Sequence, residues 1–492
     1  MGKKRISITE GFEMNAQAYG FRHSLKAWLS DAEGLAAARV RLSLNETATD
    51  GDKKLLEEEI ATTLREQRPD GSFGDTTGQT GGELAKLLGL GCDPGSPEIR
   101  RGLDALMSQH RDGKGPKIDG ADPAHEYARA GALPDEAIRA LCLGQRGDAD
   151  EVRFSADWLV SHLETWLGHP YGCPWGPNTH LQALWLARES TDVSKAIEMG
   201  LSWLNHGLDE AGLLGHLDPW GTVQTAGAID LPEARSLAVR LLPMLLRGQM
   251  SDGGWDGHSF EAISALNRTG MIDELSNRPA LPCDWTVAVQ FPFPGKSFRH
   301  LGWDGEFIWV HDAELNEAVG ISRNDGSETA RIPLPVQDIH GLTWIDGNLA
   351  VCQGGPWKPV KNLLLVGRDG HVLATHSLDK VAMAIGVANV DGRLWIGDGF
   401  DFEARILDLD SPDVLSRVKW PGTCARDLTA SSAGVWHIDS FAPLMIECDQ
   451  IGQMLDWAEI PFYGALGGVT WDGEQLWMLN TKTSTLCAAT RA

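Results

Sequence analysis

The sequence predicts two domains: an all-α (α/α) toroid over residues 1–280, then an all-β five-bladed β-propeller over residues 284–492. Three observations carry that expectation. One strand–turn–strand phrase recurs five times in the second half. Two kinds of helix alternate in the first half. The length, 492 residues, exceeds what a single hydrophobic core organises.

The hairpin phrase reads "LGWDGEFIWVHD" from Leu301, "GLTWIDGNLAVCQ" from Gly341 and "GVANVDGRLWIGD" from Gly386. It returns as "DLTASSAGVWHID" from Asp427 and "GGVTWDGEQLWMLN" from Gly467. The turn glycines Gly305, Gly347, Gly392, Gly434 and Gly473 fall about 40 residues apart, the period of propeller blades. Asp-Gly supplies the positive φ angles that a tight hairpin turn demands. Two further strands follow each hairpin, the outermost being "TARIPLP", "VLATHSL", "VLSRVKW" and "MLDWAEIP". The fifth repeat lacks this outer strand, while an unassigned strand, Thr286–Pro294, precedes the first. A ring closes best when one blade takes strands from both ends of the segment, so Thr286–Pro294 is expected to complete blade five and cover the exposed edges.

Aligning the repeats gives two rings of equivalent positions on one face. Arg299, His340, Ile385, Arg426 and Gly467 precede the inner strands; Asp312, Gln353, Asp398, Asp439 and Asn480 end the second strands. Polar residues at one repeat position, beside two arginines and a histidine, make this the functional face of the propeller. Arg299, His340, Arg426, Asp398 and Asp439 are its candidate ligand-binding residues. The alternative reading makes the second ring hydrogen-bonded turn residues that close each hairpin.

In the first half, "EIATTLREQRPDGSFGD" leads into "GGELAKLLGLG", and "LLPMLLRGQMSDGGWDG" into "HSFEAISALNRTG". Each is a long helix, a Gly-rich turn and a shorter helix rich in small residues. Ile99, Leu103 and Leu106, and Val193, Ile197, Leu201 and Leu204, recur at helical spacing, marking outer helices with one apolar face. Ser96 before Pro97 and Glu98 signals a helix start. Helices crowded on all sides need small residues, so the two kinds form concentric rings.

Two resemblances accompany these readings. "QMSDGGWDG", Gln249–Gly257, and its degenerate copy "QRPDGSFGD", Gln67–Asp75, resemble the Gln…Gly-x-Trp repeat of the terpenoid cyclase and protein prenyltransferase superfamily. The resemblance implies a squalene-cyclase- or prenyltransferase-like toroid in which Gln and Trp tie an outer helix end to the next inner helix. The superfamily's Asp-x-Asp-Asp acid has only "DADE", Asp148–Glu151, as a counterpart, ahead of an outer helix. The propeller repeats, "HGLTWIDGNLAVCQGG" above all, resemble papaya-type glutaminyl cyclases, five-bladed propellers with an acidic residue after this hairpin. Here Cys352 and Gln353 stand there instead.

The toroid mouth is lined by the turns and the first residues of the inner helices. Candidate catalytic residues there are Asp75, His180, His216, Asp218, His258 and Glu261, and candidate substrate contacts are Tyr171, Trp175 and Trp220. His258 and Glu261 share a helical face and suit acid–base work. The prenyltransferase and lanthionine-cyclase branches bind zinc, which implies Cys173, His180 and His258 as ligands of a tetrahedral site with one open position. Zinc is the one cofactor this reading admits.

A formal charge of −25 argues against a nucleic-acid partner and against docking on anionic lipid. No apolar run reaches the roughly 18 residues of a membrane span, and the basic start lacks a leader's apolar stretch. Eight cysteines without a CxxC pair fit reduced thiols, hence a cytoplasmic location. The expected function is an enzyme (lyase, cyclase or transferase) acting on a small, partly apolar, isoprenoid-like molecule in the toroid, with the propeller capping it or holding a protein partner. Two alternatives remain: anionic-ligand chemistry on the propeller face, and a non-catalytic scaffold.

Overall fold

The computed structural model describes residues 19–491 except 45–47, 113–130, 169–175, 209–218, 256, 284, 355–360, 400–402, 409–410, 423–424, 440–443, 461 and 463–465. Among these, the N-terminal region holds fourteen helices. They are α1 (Leu25–Asp31), α2 (Leu35–Leu44), α3 (Asp50–Arg65), α4 (Thr77–Gly89), α5 (Pro97–Arg111), α6 (Asp135–Leu143) and α7 (Asp150–Gly168). There follow α8 (Gly176–Ala187), α9 (Ser194–Gly207), α10 (Pro219–Ala228), α11 (Pro232–Arg240), α12 (Leu242–Arg247), α13 (Ser259–Arg268) and α14 (Met271–Ser276).

Local chemistry starts these helices where the sequence suggests. Thr49 with Asp52 and Thr76 with Gln79 form capping boxes ahead of α3 and α4, each satisfying two otherwise orphaned N–H groups. Ser96 precedes α5 with Pro97 at its first turn. The stripes on α5 (Ile99, Leu103, Leu106) and α9 (Ile197, Leu201, Leu204) are buried. The packing order skips along the chain: α4 lies on α6, α6 on α8, α8 on α10, α10 on α13 and α13 on α2. Small residues permit the approach. A Cβ on Gly81 would sit 2.7 Å from the backbone nitrogen of Ala137, and one on Gly227 3.1 Å from the Cα of Ala265.

The Gln-containing turns do specific work. Gln249 is fully buried; its Nε2 donates to the carbonyls of His23 (3.0 Å) and Gly253 (2.8 Å), and its Oε1 accepts from the His23 N–H (3.0 Å). Trp255 Nε1 donates to the Leu245 carbonyl at 2.7 Å. Gln67 repeats the motif, donating to the carbonyls of Gly71 and of Glu98 in α5. Each glutamine thus binds its own turn to a distant segment, Gln249 to His23 ahead of α1 and Gln67 to Glu98 at the start of α5. Gly20 and Phe21 also donate to the Pro279 and Leu275 carbonyls, so early and late parts of the helical region meet.

The second half is a five-bladed β-propeller of five four-stranded sheets. Its inner strands are Phe298–Trp303, Ile339–Ile345, Ala384–Val390, Ala425–Ala430 and Leu466–Trp471, each packed on the next around a closed ring. Blade five runs from that last inner strand through Leu476–Asn480 and Thr485–Arg491 to Trp285–Pro292, which pairs antiparallel with Thr485–Arg491. The segment read from sequence as a seam therefore hydrogen-bonds to the far end of the propeller. In the turns of blades two and three, Asp346–Gly347 and Asp391–Gly392 both adopt positive φ, the geometry that matches strand twist.

The two halves share apolar packing. Leu444, Ile446, Met454 and Trp457, on the outer strands of blade four, belong to the same buried cluster as the helical core. The guanidinium groups of Arg22 and Arg247 lie over the Trp457 ring at 5.1 and 5.9 Å. No described helix is long and apolar enough to cross a membrane.

Candidate functional site

Each inner strand of the propeller enters at the same face, and in all five blades the pairing register shifts at that entry. The bulge re-aims the side chains there. Arg299, His340, Ile385, Arg426 and Gly467, read from sequence as one ring, surround a single cavity of about 870 Å³ at the axis, together with Lys296, His300 and Thr481. No carboxylate is among its described lining residues. Arg299 and Arg426 are exposed into it, and no ion pair ties either to a described residue. Lys296 is partly spoken for by Glu328 at 3.4 Å.

One step deeper lies a ring that the sequence reading missed: His300, Gly341, Gly386, Asp427 and Gly468. Three blades carry glycine because the neighbouring inner strand leaves no room. A Cβ on Gly341 would stand 2.8 Å from Val387 N, and one on Gly468 2.7 Å from the His300 Cα. Blade one places His300 there in the left-handed region, at φ 44°, which an L-residue rarely adopts. Blade four places Asp427, wholly buried, accepting from the N–H groups of Leu428 (3.0 Å) and Val469 (3.3 Å). His300 Nδ1 lies 3.9 Å from Asp427 Oδ2. That is ion-pair reach, but too long for a direct hydrogen bond. The available signal was a histidine and an aspartate at a repeat position otherwise held by glycine.

Burial sets the electrostatics below the cavity. It pushes the Asp427 carboxyl above the usual carboxylate range, an effect that the His300 imidazole opposes. It lowers His311, whose ring lies 6.2 Å from that of His300, to about 4, with the His300 charge adding to the effect. Cys352 is pushed up to about 12, first by burial and then by Asp427, so it remains an unreactive thiol.

The second predicted ring does not line the cavity. Asp398 is fully buried, accepting from the N–H groups of Ala382 (2.9 Å) and Met383 (3.0 Å) and from Arg405 Nε (3.3 Å). Asp439 is also fully buried. Asp312 accepts from the N–H groups of Glu314 and Leu315, and Asn480 from those of Lys482 and Thr483. Asp312, Asp398 and Asn480 thus accept from backbone N–H groups, the arrangement of the alternative reading.

In the helical half, Tyr171, Cys173, Trp175, His216 and Asp218 lie outside the described residues. His180, on α8, is buried with its Nδ1 2.5 Å from Asp135 Oδ2 at the start of α6, and Thr179 Oγ1 donates to the same oxygen at 2.6 Å. Beside them, burial raises the Glu136 carboxyl, with Asp135 adding to the effect. The His258 ring stacks on Trp220 at 4.5 Å. Glu261 acts on Arg39 electrostatically, against the lowering that burial imposes on that guanidinium. Asp75 is exposed and paired with Arg68 at 2.6 Å. Among the described residues, no three His, Cys, Asp or Glu side chains converge as metal ligands. His180 and His258 take separate partners, and the zinc expectation acquires no support from them.

No protein-family model and no curated protein matches the sequence. Among solved structures, the glutaminyl cyclase of Myxococcus xanthus matches at TM-score 0.35 and 11% identity, over 42% of this chain and 97% of its own. The virginiamycin B lyase of Staphylococcus aureus matches at 0.28 and 17%, over 42% and 69%. The PQQ-bound aldose sugar dehydrogenase of Streptomyces coelicolor matches at 0.28 and 11%, over 42% and 99%. Likeness this distant carries no argument about activity. No match supports a terpenoid-cyclase reading of the helical half.

Proposed function

We propose that the axial funnel of the propeller binds a small anionic molecule, with Arg299, Arg426 and His340 as its grip. One observation carries this reading. In a chain of formal charge −25, the described charged side chains lining the funnel are cationic, and two of them are arginines without an ion-pair partner among the described residues. A cationic concavity in an acidic protein concentrates anions locally, and arginine offers planar paired donors to oxyanions. Titration calorimetry with sulfate tests it. The double variant Arg299→Gln/Arg426→Gln is expected to bind at least about 100-fold more weakly, at one to two decades per charge-assisted contact. Unchanged binding in that variant removes the reading.

A second reading keeps the chemistry in the helical half, taken as an (α/α) toroid acting on an isoprenoid-like substrate. The Asp135–His180 pair favours it, because a carboxylate on Nδ1 orients an imidazole for proton transfer. Farnesyl diphosphate would then raise the melting temperature of the wild-type protein and not of His180→Ala. No shift in either protein counts against it.

A further inference from the structure

The axial pair below the funnel says more about the ligand than the rim does. We infer that the funnel takes a tetrahedral dianion, the head of a phosphate monoester, and takes it together with one proton carried by His300 beside Asp427. The inference rests on the anion-binding reading of the same cavity.

Two geometric facts support it. Cationic or protonatable groups enter the funnel from blades one, two and four (Arg299 and His300, His340, and Arg426), so donors surround the axis. A planar monoanionic carboxylate is served by one bidentate arginine, whereas a tetrahedral oxyanion accepts donors converging from several sides. Second, the two titratable side chains in the axial ring are paired. His300 lies 3.9 Å from the Asp427 carboxyl, which has no solvent exposure, so a proton gained by the imidazole is within ion-pair reach of that group.

The surroundings identify His300 as the group that responds. From its own strand Arg299, and from the preceding turn Lys296, line the same cavity as His300. From the second strand of blade one comes His311, lowered to about 4 chiefly by burial and therefore neutral above pH 6. His340 of blade two lies with its ring 6.0 Å away. Blade four supplies Arg426 and Asp427, and blade two also holds Cys352 close to Asp427. Three cationic side chains, Lys296, Arg299 and Arg426, share the cavity with His300, and a bound dianion offsets their charge.

Calorimetry with sulfate, which does not titrate between pH 6 and 8, tests the claim on the full chain in two buffers of different ionisation enthalpy. Wild type is expected to bind about tenfold more tightly at pH 6 than at pH 8, with uptake of close to one proton. His300→Asn, chosen because asparagine tolerates the left-handed backbone, is expected to bind at the pH 8 level throughout, with no uptake. His340→Asn, which removes part of the grip, is expected to weaken binding at both pH values while keeping the uptake per anion bound. Retention of uptake in His300→Asn, or its loss in His340→Asn, overturns the assignment to His300. Acetate binding as tightly as sulfate overturns the dianion and leaves the anion-binding reading intact. If neither sulfate nor acetate binds, both fall.

Discussion

The helical region and the propeller each join their own early and late segments, and they do so by different means. The propeller uses a ladder: Trp285–Pro292 pairs residue by residue with Thr485–Arg491, from Trp285 opposite Arg491 to Pro292 opposite Thr485. The helical region uses one buried amide, Gln249, exchanging hydrogen bonds with both backbone groups of His23, reinforced by Gly20 and Phe21. A ladder spreads closure over many weak contacts. An amide concentrates it in one residue whose loss strands several buried groups. The difference also decides how each half reveals a site. A strand register assigns every repeat position to one place around the axis, so aligned residues meet. Helix-to-helix turns impose no such register.

The largest effect is expected where the halves touch. Trp457→Ala removes a buried ring from the shared core and from beneath Arg22 and Arg247, at a cost of about 3–5 kcal/mol. Denaturant unfolding followed by separate helical and aromatic signals should then resolve two transitions instead of one; a single unshifted transition would show that the Trp457 contact does not couple the halves.

Next comes the propeller seam. Trp285 donates to Asp456 at 3.0 Å and meets Trp436 edge-on at 5.2 Å. Trp285→Ala should cost about 3 kcal/mol, read as a lower denaturant midpoint. Gln249→Ala at the helical seam should cost about 2 kcal/mol, since it leaves buried backbone groups without partners. If instead it proved neutral by hydrogen exchange and melting, closure of the helical region would not depend on that amide.

Smallest at neutral pH, and set in different pH windows in the two halves, is the acid response. His437 in the propeller is buried and held at about 3 by desolvation. Its folded value lies below the ordinary one near 6.5, so the unfolded chain binds the extra proton first. The stability it supplies is complete above pH 6.5 and is lost as pH falls toward 3. In the helical half, Asp52 is held far below the usual carboxylate range, chiefly by its hydrogen bonds with Arg41. That contribution is present above pH 4 and fails only in stronger acid. His437→Gln should flatten the melting temperature between pH 6.5 and 4, while Arg41→Gln should leave that window alone and weaken the protein at neutral pH. Equal slopes in wild type and His437→Gln would refute the first part.

Much of the architecture could be read from residues. Asp-Gly turns at a 40-residue period determined the blade count, and the unassigned strand before the first blade pointed to the seam. Arg299, His340 and Arg426 were legible because their position repeats. His300 and Asp427 were missed because the alignment treated the next position as strand filler; glycine in blades two, three and five was the signal that this layer lies at the axis. Asp398 is ambiguous in sequence for a physical reason: a carboxylate bound by backbone N–H groups and a carboxylate facing a ligand look alike until those partners are known. In the helical half, His180 was legible as a residue near the start of a helix, but Asp135 arrives from a helix 45 residues away in sequence.

The claim that chemistry centres on the propeller axis has a direct test in a crystal soaked with selenate, located by its anomalous scattering. The account predicts a selenate in the funnel within hydrogen-bonding reach of Arg299 and Arg426, at full occupancy near pH 6 and weaker near pH 8. An empty funnel, with selenate bound instead beside His180 in the helical half, would contradict it.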